Sequence, residues 1–181
     1  MSHATAVRVR PRHAPDLPAC VEALAQVHAA DGYPVNWPER AVDWLTGGSL
    51  AGAWVAELDG RVAGHVVLCR QGGDDVAPVL WSEREGVPDA GIAVVSRLFV
   101  APWARGHGLG ARLLARVVEE AGQLGLFPVL DVVESDTSAT ALYERTGWRF
   151  LGTGEQHWSP GQTVIVRCYA APEPGEADGA V

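Results

Sequence analysis

The 181-residue chain contains no lysine; all 14 of its basic residues are arginine, set against 22 acidic ones. That absence removes two chemistries at once. No side chain can form a Schiff base, and no glycine loop here can be of the nucleotide triphosphatase type, which requires a Lys after its last glycine. Cysteine is nearly as scarce. Cys20, Cys69 and Cys168 are odd in number and lack metal-ligand spacing, so they read as reduced thiols buried as small hydrophobes, with no metal site and a cytoplasmic setting expected. Long apolar runs are also missing. Neither a membrane span nor, at Met1-Ser2-His3-Ala4-Thr5, a signal peptide is expected. Positive charge is in short supply, and a net charge of −8 disfavours a nucleic-acid partner, whose phosphates demand a basic face.

What is present is enough for a substantial core. An apolar fraction of 48% in a chain of this length points to one domain over residues 6–170, with residues 1–5 and 171–181 expected as disordered tails. Strands and helices alternate. Ala6 to Arg10 reads as a strand, Pro15 to Ala30 as a helix, and a short helix is expected near Pro38. Leu50 to Leu58 and Arg61 to Arg70 flank Asp59-Gly60, a two-residue hairpin signal. Gln71 to Ala90 reads as a loop in part, with Val79-Leu80-Trp81 as a strand extension. Gly91 to Val100 is β-branched and reads as a strand, and Phe127 to Glu134 as another. A helix is expected near Thr137 to Thr146, then strands near Arg149 to Gly152 and Thr163 to Tyr169.

The most informative stretch is Arg105-Gly106-His107-Gly108-Leu109-Gly110. It stands between the strand ending at Val100 and a run in which Leu113, Leu114, Val117, Val118, Ala121 and Leu124 recur at helical spacing. A glycine loop that opens a helix offers unpaired N–H groups at the positive end of the helix dipole, a site for phosphate. Gly106, Gly108 and Ala111 also fit a dinucleotide fingerprint, with Asp131 near the expected distance for a ribose acid. Against it, Ala101 to Arg105 intervene between strand and first glycine, and Asp131 lies inside its strand rather than at its end. A dinucleotide enzyme is the minor alternative.

Leu98 to Leu114 resembles the cofactor motif of the GNAT superfamily of acyl-CoA-dependent N-acetyltransferases, with Arg105, Gly108 and Gly110 on its Arg/Gln-x-x-Gly-x-Gly/Ala pattern. Asp136 to Trp148, with Ala141-Leu142-Tyr143 and a Gly147-Trp148 close, resembles a second family segment. The resemblance covers about residues 91 to 151 and implies a mixed, mostly antiparallel sheet of about seven strands flanked by about four helices. It implies acetyl-CoA as acyl donor and an amine-bearing small molecule, peptide or protein as acceptor, and a homodimer would be in keeping with it. The cofactor would lie on Leu98, Phe99, Val100, Arg105, Gly106, His107, Gly108, Leu109, Gly110 and Ala111, with Asp136 near the pantetheine, where many members carry Asn.

Transfer from a thioester to an amine needs a neutral amine, a polarised carbonyl and a proton for the leaving thiolate. The resemblance puts the Val100 N–H at the oxyanion and Tyr143 beside the sulfur; a phenol is protonated at neutral pH and can supply that proton. The acid that many members carry on the motif strand is replaced by Val94. Asp131 is then the leading base candidate, with Glu134, Glu83 and Glu85 behind it, and a paired structural acid is the competing reading of Asp131. The missing acid also keeps open a non-catalytic acyl-CoA-binding or regulatory domain. Tyr33 and Trp37 fall in a loop that borders the acceptor in the family. His28, His65 and His107 read as structural or incidental.

Overall fold

In the computed structural model, which describes residues 4–70 and 73–173, seven strands form one mixed sheet in the order β1-β2-β3-β4-β5-β7-β6. The strands are β1 (Val7–Pro11), β2 (Leu50–Leu58), β3 (Arg61–Cys69), β4 (Ile92–Val100), β5 (Phe127–Val133), β6 (Arg149–Ser159) and β7 (Gln162–Ala170). Five α-helices accompany them among the described residues: α1 (Leu17–Asp31), α2 (Ala41–Thr46), α3 (Ala77–Glu85), α4 (Leu109–Gln123) and α5 (Thr137–Arg145). The β1–β2, β5–β7 and β6–β7 pairs are antiparallel, and β4–β5 is parallel, as expected for a mixed, mostly antiparallel sheet. No helix among the described residues is long and apolar enough to cross a membrane.

The chain divides into two compact units. Met1–Leu68 with Arg97–Val117 forms one; Cys69–Ser96 with Val118–Val181 forms the other. In the first, the β2–β3 hairpin turns on Asp59 and Gly60, whose φ values of 51° and 80° are the two left-handed positions that its turn requires. Its core joins Cys20, Ala23, Leu24 and Val27 of α1 with Leu45 of α2, Val55 of β2 and Phe99 of β4. Trp54 of β2 is buried, whereas Trp37 stays 42% exposed.

In the second unit, Ala77, Trp81, Ile92, Val94, Val129, Val166, Cys168 and Ala170 share a core, and Trp81 stacks flat on Phe127 at 4.2 Å. Here the structure corrects three expectations. Residues 77–85 are helical, not loop and strand; Ala77 and Trp81 lie one turn apart on the buried face, and Gly86 closes α3 in a left-handed cap, donating to Ser82 O at 2.8 Å. β6 runs to Ser159, far beyond Gly152, because it pairs with β7 along nearly its whole length. Gly154 suits that stretch to α3, since a Cβ there would come within 2.5 Å of Val76 Cγ1. Ala171, expected in a loose tail, is fully buried and donates to Pro128 O at 3.0 Å, while Glu173 pairs with Arg149. The expectation for residues 1–3 and 174–181 lies outside the described residues.

Candidate active site

The glycine loop stands where its sequence placed it, between β4 and α4. Gly106 and Gly108 have φ of 82° and 71°, a conformation that L side chains rarely adopt. A Cβ on either would meet no protein atom within 4 Å, so backbone geometry, not crowding by the chain, is what demands glycine. The first helical bond of α4 runs from Arg112 N to Gly108 O, at 3.1 Å. The N–H groups of Leu109, Gly110 and Ala111 therefore precede the intrahelical ladder, and no carboxylate among the described residues accepts from them. Open space beside left-handed glycines and unclaimed amides is what a pyrophosphate needs.

Two loop side chains turn back to the protein. His107 donates Nδ1–H to Ala104 O and Arg105 O at 3.2 and 3.1 Å, fastening the loop. Arg105 forks onto both carboxylate oxygens of Asp31 at the end of α1. Leu98, Phe99 and Val100 form the end of β4, past the register that sets Ile92, Ala93 and Val94 opposite Phe127, Pro128 and Val129.

The second unit holds the other sequence candidates. Tyr143 on α5 is 7% exposed, with its ring centroid 6.0 Å from Trp148 and 5.8 Å from Tyr169. Asp136 caps the same helix, its carboxylate accepting from Ala139 N at 3.0 Å, which accounts for an Asp there without a ligand. Val94 is 3% exposed in the apolar core, so the usual acid has been replaced by packing.

Asp131 is occupied. Its carboxylate accepts from Val76 N at 2.6 Å, Ala77 N at 2.7 Å and Gln156 Nε2 at 2.6 Å. It closes the start of α3 from β5, a remote form of the N-cap. Both oxygens are engaged by donors, which favours the paired structural acid over a free base. Burial also pushes the Cys20 thiol up to about 11 and the Cys168 thiol higher still, helped by Asp131, so neither is a thiolate nucleophile at neutral pH.

Fold and motif together define an acyl-CoA-dependent class. The chain belongs to the acetyltransferase (GNAT) family, whose model matches residues 21–148. It is 39% identical over 84 residues to an uncharacterized N-acetyltransferase of the hisH-hisA intergenic region of Azospirillum brasilense; the match spans 46% of this chain and 43% of that relative. Among solved structures, the ribosomal-protein-S18-alanine N-acetyltransferase of Escherichia coli is similar, with TM-score 0.65 and 18% identity over 97% of this chain and 99% of that one. Arabidopsis thaliana NAA60, solved in complex with acetyl-CoA, is similar at TM-score 0.66 and 19% identity over 91% of this chain and 98% of that one. These structures share the fold. Family membership sets aside the dinucleotide alternative.

Proposed function

We propose that this protein transfers the acetyl group of acetyl-CoA to a primary amine by direct attack in a ternary complex. The observation that carries the reading is the open start of α4, where Gly106 and Gly108 are left-handed and three amides stand ahead of the helical ladder. Leu98, Phe99 and Val100 would hold pantetheine and thioester, with the Val100 N–H as oxyanion donor. The amine lone pair attacks the carbonyl carbon, the C–S bond breaks, and the thiolate takes a proton from a donor at the sulfur. Tyr143 is assigned that role from its place in Ala141-Leu142-Tyr143. For Asp131, its three donors lead us to propose the anchoring of α3 in place of the base role, so the ammonium would lose its proton to solvent or a water relay.

The test is release of free CoA from acetyl-CoA with a panel of amines. Tyr143→Phe keeps the ring and removes the proton, so turnover should fall ~10²-fold or more while acetyl-CoA affinity holds. Wild-type turnover in that variant, with chemistry shown to limit the rate, rejects the assignment. The second reading, an acyl-CoA-binding domain without turnover, is favoured by the buried Val94 and the occupied Asp131. It predicts tight acetyl-CoA binding and no amine-dependent CoA release.

A further inference from the structure

Several arginines of this protein are paired with carboxylates. Arg10 meets Asp16 and Glu57, Arg40 meets Asp43, Arg61 meets Glu22, and Arg105 meets Asp31. Arg97, partly buried on β4, is not among them. No carboxylate among the described residues pairs with it. One Nη donates to Gly47 O at 3.1 Å, and the guanidinium carbon lies 5.5 Å from the centroid of the Trp44 ring. The remaining guanidinium N–H groups bond to no other described residue.

The chain takes unusual trouble to hold this residue. Arg97 has φ of 53°, a left-handed backbone that is uncommon outside glycine, asparagine and aspartate. His65, completely buried, donates Nδ1–H to Arg97 O at 2.9 Å and stacks on Phe99. The tautomer is fixed from the other side. Arg12 can only donate, and it gives one Nη to both His65 Nε2 and Leu45 O at 2.8 Å. Burial, and the charges of Arg12 and Arg97, hold the imidazole neutral, down to about 3. Two guanidinium groups thus act on one neutral His, in a chain whose net charge is −8.

A strained backbone fixed by a buried relay, aiming a cation with spare donors and no acid, describes a recognition element and not a surface charge. Its placement says for what. Arg97 directly precedes Leu98, Phe99 and Val100, and three residues of strand amount to ~10 Å from Val100. Resting on the acetyl-transfer reading above, we propose that Arg97 binds the carboxylate of the acceptor, which makes the substrate class amines of amino-acid type and not polyamines or other purely cationic amines. The planar fork left free beside Trp44 suits a carboxylate taken through paired N–H donors.

The test uses matched acceptors, each α-amino acid against its carboxamide, with CoA release as readout, and calorimetric binding of the N-acetyl amino acids against their amides in the presence of CoA. Wild-type protein should favour the carboxylate member by about ten-fold or more in both measurements. Arg97→Asn, a residue that tolerates left-handed backbone, should abolish the preference and raise the acceptor KM about ten-fold or more, with the acetyl-CoA KM held within about two-fold. Arg97→Lys should recover part of it. Equal use of acid and amide by the wild type, equal losses on both in Arg97→Asn, or a loss confined to acetyl-CoA would each overturn the proposal. The two readings fail separately. Carboxylate-selective binding without CoA release leaves the Arg97 site standing and removes transfer, whereas CoA release without carboxylate preference does the reverse.

Discussion

Among the described residues, acids of the chain close the starts of α3 and α5, whereas the start of α4 is left open. Asp131 covers the first amides of α3, and Asp136 caps α5. At α4 the cap position is taken by Gly108, and no carboxylate of the described chain reaches the Leu109, Gly110 and Ala111 amides. The dipole and the unpaired N–H groups are alike in all three. At α3 and α5 an internal acid neutralises them. At α4 no such acid is present among the described residues, and a pyrophosphate bound there as proposed would meet no side chain from Gly106 or Gly108.

The comparison can be broken by closing the open start. Gly108→Asp would put a carboxylate at the cap of α4, and Asp is among the residues that tolerate a left-handed backbone. Repulsion and lost amide contacts should weaken acetyl-CoA binding by about 100-fold, roughly 3 kcal/mol, with the melting temperature little changed. Affinity within about two-fold of wild type would mean that the start of α4 holds no phosphate.

Opening a closed start should act on stability instead. Asp131→Asn removes the charge and one acceptor from the α3 amides, and a loss of about 1–3 kcal/mol is expected in urea unfolding. Any loss of turnover should be independent of pH. A base role would show the opposite sign, a deficit that shrinks as pH rises and the amine deprotonates unaided. Asp136→Ala removes one cap bond on α5 and should cost about 1 kcal/mol, the smallest effect of the three.

Why the α4 loop was legible and the role of Asp131 was not follows from the range of each interaction. Glycines ahead of a helical period are a local signal, and the strand, loop and helix fell where that signal put them. The capping of α3 joins residues 54 and 55 apart, so Asp131 could be read equally well as base or as structural acid. α3 itself carried a faint mark, with Pro78 in its first turn and Gly86 just past its end, but an exposed Val79 blurred its face. The left-handed backbone of Arg97 left no trace in sequence, because the relay through His65 and Arg12 joins residues far apart in the chain. Asp136 could have been recognised as a cap from its place before Thr137, had the cofactor contact not been the stronger expectation.

The central claim is that the open start of α4 binds the pyrophosphate of acetyl-CoA. Its most direct test is calorimetric titration of wild type and Gly108→Val with acetyl-CoA and with acetyl-pantetheine, which keeps the thioester and lacks the pyrophosphate. Val is β-branched and unsuited to φ of 71°, and its side chain would stand in the space left clear there. The account predicts that the variant loses about 10- to 100-fold in acetyl-CoA affinity and almost nothing in acetyl-pantetheine affinity. A folded variant that binds both as the wild type does, or loses both equally, would contradict it.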